Sequence, residues 1–573
     1  MLTLGRALPP RTVVLPPRRA PLVRSCASAC PIEVGYVTDI EGNLAYFDAW
    51  VQRSRVLRYA DEGVLDLTHP NAYFIYGGDV MDRGDGGLRL ARRLVALKKR
   101  HPTRVRLLAG NRDLNKVRLT SELSPSEMRR NPRDVPGPHW DPSAPTLHTY
   151  LSELAMERGV AGGAAAVDSR VARAQYVLQH TLGCPGTFEG RRRELGLLLA
   201  AAAAEGEVSD SSVVGKVSDA AVVESLVADV EPGGALRAYL EHACIATVLG
   251  NTLFVHGALD ARSIQLVPSD GTRFINPSRP QAMRPVDGVH EWCDAMNGCL
   301  QRGLASHAAS PEWDDERHHR GGEVLMALQN KCAMWGRCVV SGSYADGGTI
   351  TSAAAAARRE ELRIRLEKED EGFGEDALVW EGWTSDPRDP IVAEWLLREG
   401  IRRVVVGHKP AGDCPATCSS RYTGVEVVSA DTSYADVTDV AGLARGASMA
   451  CVSLVGPSLT TNAARLWGVL NDGREHDVQL ATLEGGRRPS KGVEGDGRPY
   501  KDVEGDPLVG TEVELDGELW WIKAKVVEGR EIEGEIKGRS PKAQRGDEGA
   551  TYLCCRGAGR KVERRDHAQR DGV

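Results

Sequence analysis

The sequence predicts an α/β protein in which a largely parallel sheet is layered against helices. Three observations predict it. Apolar, β-branched runs alternate with helical patterns from Val34 to Leu108. The three strand patterns there end in short polar, glycine-bearing stretches. A strand–helix–strand–helix–strand order is that of right-handed crossovers, which place such endings along one sheet edge.

Taken in order, Val34 to Ile40 reads as a strand, Leu44 to Leu57 as a helix and Ala72 to Tyr76 as the next strand. A helix over Leu88 to Lys99 and a strand over Val105 to Leu108 complete the set. The endings are Thr38-Asp39-Ile40-Glu41-Gly42-Asn43, then Gly77-Gly78-Asp79-Val80-Met81-Asp82-Arg83-Gly84, then Gly110-Asn111-Arg112-Asp113. Carboxylates at the carboxyl end of parallel strands lie where open α/β sheets bind ligands.

Residues 114–240 interrupt the sheet pattern. Pro125 to Pro145 is rich in proline and charge, and Leu147 to Gly206 is helical in character, which predicts an inserted helical cap. Ala243 to Leu249 and Thr252 to Val255 flank Gly250-Asn251 as a hairpin, ending in His256-Gly257. Helices are predicted at Gly322 to Trp335, Arg358 to Lys368 and Pro390 to Arg398. The strand Arg403 to Val406 ends in Gly407-His408-Lys409-Pro410, and Val425 to Ser429 and Cys451 to Val455 read as further strands. Asp431, between the last two, is read as a loop cap or as a support for a metal ligand.

From 485 to 506 the chain is rich in Gly, Arg, Lys and Glu, with Lys491-Gly-Val-Glu-Gly-Asp recurring at Lys501, and reads as a linker. Residues 507–573 regain β character. They predict a small SH3-like or Tudor-like barrel in which Trp520 and Trp521 alternate faces, one buried and one exposed, with a protein partner as the natural contact of an exposed Trp.

Composition bounds the function. At 573 residues there is room for two to four domains. A net charge of -7 and a pI near 6.1 argue against general nucleic-acid binding. The longest apolar block, Leu195 to Ala204, is too short to span a membrane. Thirteen scattered cysteines point to reduced thiols in an intracellular compartment, and Cys414 and Cys418 lack the second pair of a zinc site. Residues 1–32 hold no acidic residue but do hold Arg6, Arg11, Arg18, Arg19 and Arg24. That is the composition of a mitochondrial or plastid transit peptide or of a disordered extension, the protein being cytoplasmic in the latter case.

Asp39, Asp79, Asn111, His256 and His408, with Glu41 as a sixth, are candidate ligands. Carboxylate, carboxamide oxygen and imidazole together suit Mn, Fe, Zn or Mg ions. Two such ions bridged by a carboxylate activate water for attack on a phosphoryl group, with Arg83 and Arg112 neutralising its oxygens.

These motifs, in this order, resemble the calcineurin-like metallophosphoesterases, in the branch of the phosphoprotein phosphatases and diadenosine-tetraphosphate hydrolases. The matching pieces are Asp39-Ile-Glu41-Gly-Asn, Gly78-Asp79-Val-Met-Asp82-Arg83-Gly84, Gly110-Asn111-Arg112-Asp113, Val255-His256-Gly257 and Gly407-His408. The resemblance covers about residues 33 to 456 and implies a β-sandwich flanked by helices, formed by 33–113 and 241–484. It implies a metal-dependent hydrolase of a phosphorylated substrate of unspecified class, with two divalent ions, Mn foremost. Asp79 would bridge them, Asp39 would bind the first, Asn111, His256 and His408 the second, and Arg83 would clamp phosphate. Two departures stand out. Glu41 replaces a histidine, which favours a hard ion. Arg112 replaces a histidine often assigned as general acid, and arginine cannot give up a proton near neutral pH. Leaving-group protonation then falls to water, Asp82, Asp113 or a cap residue, or the protein binds a phosphorylated ligand, or serves as a scaffold, without turnover.

Overall fold

The computed structural model describes residues 31–61, 63–138, 141, 143–204, 217–259, 263–269, 283–329, 335, 338–339, 390–419, 424–435, 445–485, 506, 508–510, 512–527, 550–556 and 563–568. The expected N-terminal extension, the linker and the helix at Arg358 to Lys368 lie outside them, except for the few terminal residues of the first two.

β1 (Ile32–Val37) is followed by α1 (Leu44–Arg53), whose start is capped by Asn43: its side chain accepts from Tyr46 N at 3.1 Å. Leu44, Phe47 and Val51 recur at helical spacing and are buried with Trp50. The predicted helix to Leu57 stops at Arg53. Ser54 is extended, and the chain turns into a hairpin of β2 (Leu57–Asp61) and β3 (Val64–Leu67) that sequence periodicity did not reveal. β4 (Ala72–Tyr76), α2 (Gly87–Arg100), β5 (Val105–Leu107) and the short α3 (Asn111–Asn115) complete the first unit.

Between β5 and β6 (Ala246–Leu249) the chain is helical. It includes α4 (Leu147–Glu157), α5 (Arg170–Tyr176), a π-turn over Val177–Thr181, α6 (Thr187–Ala204), α7 (Asp219–Val230) and α8 (Ala235–His242). β7 (Thr252–Val255), the small hairpin β8 (Leu266–Pro268) and β9 (Met283–Pro285), α9 (Val289–Ala309), the helix Glu323–Gln329 and α10 (Pro390–Arg398) lead to β10 (Arg403–Val406), β11 (Ala416–Ser419) and β12 (Glu426–Ser429). A meander of β13 (Met449–Ser458), β14 (Thr461–Val469) and β15 (Glu475–Glu484) follows, then β16 (Glu512–Leu515), β17 (Glu518–Val527), β18 (Thr551–Arg556) and β19 (Glu563–Ala568).

Apart from the β2-β3 and β8-β9 hairpins, the strands form two sheets. One runs β19-β18-β17-β15-β14-β13-β1-β4-β5, with β16 paired to β17; the other runs β11-β12-β10-β7-β6. β1, β4 and β5 are parallel, as are β7, β10 and β12. Period-two alternation divides their side chains between two cores. Val34, Tyr36, Ile75, Phe254, Val405, Val428 and Val452 meet in one cluster, where Tyr36 stacks on Phe254 at 5.9 Å. Val37, Phe74, Tyr76, Val255, Val404, Val406 and Val427 turn outward into a second cluster that includes helix residues such as Phe47, Trp50, Leu94, Leu240, Trp292 and Trp395. The result is a helix-flanked β-sandwich, an α/β arrangement compatible with the metallophosphoesterase fold.

The C-terminal strands correct one expectation. They close no barrel among the described residues. Instead β17 pairs with β15 through Glu475–Val527 and His476–Val526, so the segment lengthens the large sheet. Trp520 and Trp521 do alternate faces, but both are buried, at 6% and 3% exposure, because an extended sheet is covered on both sides here. Trp520 joins the inner cluster and Trp521 the outer one, where its indole N–H donates to Thr417 O at 2.6 Å. No described helix is long and apolar enough to cross a membrane.

Candidate functional site

Each candidate residue leaves the carboxyl end of a parallel strand: Asp39 after β1, Asp79 after β4, Asn111 after β5, His256 after β7 and His408 after β10. The backbone there is strained. Asp39, Glu41, Asp79 and His408 all have left-handed φ, from 52° to 66°, and they are four of the seven described non-glycine residues that do. Such conformations cost energy and persist where surrounding structure fixes them, typically at functional turns. The Asp79 turn is fixed by Asp113, whose carboxylate accepts from Asp79 N, Val80 N and Gly110 N at 2.9, 2.8 and 2.9 Å. A Cβ on Gly110 would stand 2.1 Å from Asp79 Oδ1, so only glycine lets the two turns approach this closely.

The fold brings together Asp79, His256 and His408, whose ligand atoms all lie within 4.8 Å of one another. His256 Nε2 is 3.5 Å from Asp79 Oδ1. Asn111 Oδ1 stands 3.2 Å from His256 Nε2 and 2.9 Å from His408 Nδ1. Across the ring, His256 Nδ1 meets the Gly77 carbonyl at 2.7 Å. A carbonyl requires an N–H, so the neutral imidazole turns the lone pair of Nε2 toward Asp79 and Asn111, the arrangement that orients a metal-ligating histidine. Two oxygens and two imidazole nitrogens thus converge, and this donor set fits a divalent cation.

The surrounding carboxylates by themselves hold His256 protonated, a proton that a bound cation would displace. Burial lowers the pKa of His256, but Asp79 and Asp39 carry it up to about 10. Burial and the neighbouring His256 push His408 down to about 3. Burial raises the Asp79 pKa, yet His256, Arg112 and His408 hold it well below the usual carboxylate range. Asp39 takes Thr38 Oγ1 at 2.5 Å and His408 N at 3.0 Å on its Oδ2 and is raised by burial and by Asp431.

Glu41 lies close by but faces Arg83: its carboxylate is 3.1 Å from Arg83 Nε, and burial lifts its pKa to about 7 against that pull. Arg83 also stacks over Tyr434, 4.3 Å from the ring centre. Asp82 is a fully buried hub, with Lys116 at 3.1 Å, Arg112 at 3.6 Å, Arg83 at 3.7 Å and the Thr187 hydroxyl at 2.8 Å. Burial opposes its charge, but Lys116, Arg112 and Arg83 outweigh burial and keep it ionised. Asp82 therefore has no proton to give at neutral pH, and Asp113, with its oxygens on three backbone N–H groups, faces the turn instead. Arg112 donates to Leu182 O at 3.0 Å and Gly183 O at 2.8 Å, just past the π-turn.

Comparison with known proteins adds little of its own. No protein-family model matches the chain, and no curated protein matches it. A solved cold-active protein-tyrosine phosphatase of a psychrophilic Shewanella sp. aligns over 78% of this chain and 80% of its own at 11% identity, with a TM-score of 0.33. A protein serine/threonine phosphatase from Saccharomyces cerevisiae, with similarity to human phosphatase PP5, aligns over 81% and 83% at 12% identity, with a TM-score of 0.27. Scores this low carry no argument, so the site's chemistry must stand on its own residues.

Several of those residues carry no sequence signal. Thr187 and Glu194 lie on α6, over 100 positions from their partners; Glu194 accepts from Leu88 N and Arg89 N at 3.0 and 3.1 Å and so caps α2, whose own N-cap is glycine. Arg445 bonds Thr432 Oγ1 at 2.9 Å and the carbonyls of Thr38 and Asp39.

Proposed function

We propose that this chain is a metal-dependent phosphoester hydrolase with two divalent ions, manganese foremost. The observation that carries the reading is the convergence of Asp79 Oδ1, Asn111 Oδ1, His256 Nε2 and a His408 nitrogen at one edge of the sandwich, with two arginines beside them. Asp79, Asn111, His256 and His408 would hold one ion, and Asp39 and Asp79 the other. Bound ions of this kind polarise a phosphoryl oxygen and make water nucleophilic at neutral pH.

The chain's own residues supply the rest. Arg83 and Arg112 are both partly exposed, and each presents guanidinium N–H groups to an incoming phosphate. Asp82 holds the two at a common carboxylate, so neither has to be ordered when substrate arrives. Arg112 keeps its proton and Asp82 is ionised, so neither of these two supports leaving-group protonation. That favours esters and anhydrides with good leaving groups.

The same fact supports a second reading, a protein that binds a phosphorylated ligand with little turnover. Both arginines are already engaged, Arg83 by Glu41 and Arg112 by two backbone carbonyls. Hydrolysis of an aryl phosphate and an aryl phosphodiester with Mn²⁺, with Asp79→Asn in parallel, separates the two. Metal-dependent turnover lost in the variant supports the hydrolase; bound metal and phosphate without turnover supports the binding protein.

A further inference from the structure

We propose that Glu41 is a specificity-determining residue of the phosphate seat. Its carboxylate, fixed beside the Arg83 guanidinium, suits the seat to a singly charged phosphoryl group, as in a phosphodiester, against the dianion of a terminal phosphate. The inference rests on the reading above in which Arg83 receives the phosphoryl group, and it names the substrate class of that seat.

The contact is built into the backbone. Glu41 N donates to Asp79 O at 3.0 Å, and Glu41 O accepts from Asp82 N and Gly84 N at 3.2 and 2.8 Å. The two turns approach so closely that a Cβ on Gly84 would stand 2.1 Å from the Gly42 carbonyl carbon. The loop that ends β1 is thus fastened to the loop that carries Arg83, and Glu41 takes a left-handed φ of 52° within it. Its carboxylate lies 3.1 Å from Arg83 Nε, with the two side chains only 11% and 12% exposed. The donor atoms that converge within 4.8 Å of one another belong to Asp79, His256 and His408, and Glu41 is not among them.

This pair limits what Arg83 can offer. A guanidinium has two flat forks of N–H donors, one along its Nε edge and one between its terminal nitrogens. Glu41 and Asp82 both lie at Nε, at 3.1 and 3.7 Å, and Tyr434 covers one face at 4.3 Å from the ring centre. The terminal fork is the one left to a ligand. An anion seated there shares the guanidinium with a fixed carboxylate, and charges this far from bulk water are weakly screened. A second negative charge on the ligand therefore meets more repulsion than the first gains.

The charge balance points the same way. In the connected set of ion pairs, Arg83, Arg112 and Lys116 stand against Glu41 and Asp82, three cations on two carboxylates. One positive charge is left over, which matches a phosphodiester monoanion; a neutral residue at 41 would leave two, the match for a dianion. Whatever Asp79 and the histidines hold is common to wild type and to a variant at 41, so a substitution isolates the effect of Glu41.

The test is titration calorimetry of full-length protein with inorganic phosphate, a dianion at about pH 8.5, and with dimethyl phosphate, a monoanion there. Wild type, Glu41→Gln and Arg83→Ala are compared, with Mn²⁺ content measured on each sample. Gln keeps the side-chain length and an oxygen toward Nε, so the loops stay in place. Glu41→Gln is expected to tighten inorganic phosphate by about tenfold or more and dimethyl phosphate by about threefold or less, with Mn²⁺ content unchanged. If Glu41→Gln does not fold, Glu41→Ala should show the same split. An equal change for both anions would overturn the role, as would weaker phosphate binding in the Glu41 variant, which would make Glu41 a support for Arg83. Loss of Mn²⁺ from Glu41→Gln would overturn it too and return Glu41 to the metal. Wild type that binds neither anion, or Arg83→Ala that binds both unchanged, is a different failure, that of the phosphate seat itself.

Discussion

Asp113 accepts the backbone N–H of Asp79 at 2.9 Å, and this bond is what holds a bridging-ligand candidate in a left-handed turn. The same carboxylate serves Val80 and Gly110, so one side chain fastens the ends of β4 and β5 to each other. Asp113→Ala would leave three buried N–H groups without partners. At about 1–3 kcal/mol for each unsatisfied group, less what water recovers, the variant should lose about 3 kcal/mol or more in urea unfolding and bind Mn²⁺ more weakly. Unchanged stability would remove Asp113 from this role.

In the proposed reading, Arg83 and Arg112 act on the phosphate and not on the metal. Arg83→Ala should lower kcat/KM by about 10²-fold, the cost of one lost charge-stabilising donor, with Mn²⁺ stoichiometry intact. Arg112→Ala should raise the inhibition constant of inorganic phosphate and also release the 182–183 backbone. Loss of metal in Arg83→Ala would count against the division of labour.

The helix α6 lies against the motif that carries Asp79. A Cβ on Gly190 would meet Arg83 O at 2.5 Å and Gly84 O at 2.7 Å, both backbone atoms that cannot swing aside. Gly190→Ala should destabilise by about 1–3 kcal/mol through overpacking and raise KM by displacing Arg83. A thermal melt and a kinetic titration read both effects.

The C-terminal strands hold the loop that carries His408. Lys523 donates to Ala411 O, Trp521 to Thr417 O, and Arg564 pairs with Asp413. Truncation after Gly485 should therefore lower both melting temperature and Mn²⁺ affinity, and Trp521→Phe should do so in smaller measure. A truncated protein with full metal affinity would show the extension to be separable.

Two buried histidines set the acid limit. Burial pushes His476 down to about 4, against the weaker opposing pull of Asp413 and Asp477, and burial with Arg237 and Arg320 does the same for His307. The unfolded chain binds these protons near pH 6.5, the fold only near 4, so their stability is full above about 6.5 and lost as pH falls toward 4. Each contributes on the order of 3 kcal/mol over that window. His476→Leu should flatten the decline of unfolding free energy between those limits, as followed by urea titration at stepped pH.

The strand-end motifs were legible because each candidate ligand follows a strand, and a β-branched run followed by Gly-Asp, Gly-Asn or Gly-His is a local signal. The sequence by itself determined the α/β alternation, the order of the endings and the strand-end positions of Asp39, Asp79, Asn111, His256 and His408. It could not show that Glu41 turns to Arg83, that Asp82 is a hub among three cations, or that Trp520 and Trp521 are both covered by extension of the sheet. It also could not find Thr187, Glu194 or Arg445. Most of those facts depend on partners from about 30 to more than 400 positions away, and side-chain direction at a buried charge is set by which opposite charge the packing delivers. The tertiary structure alone decides that.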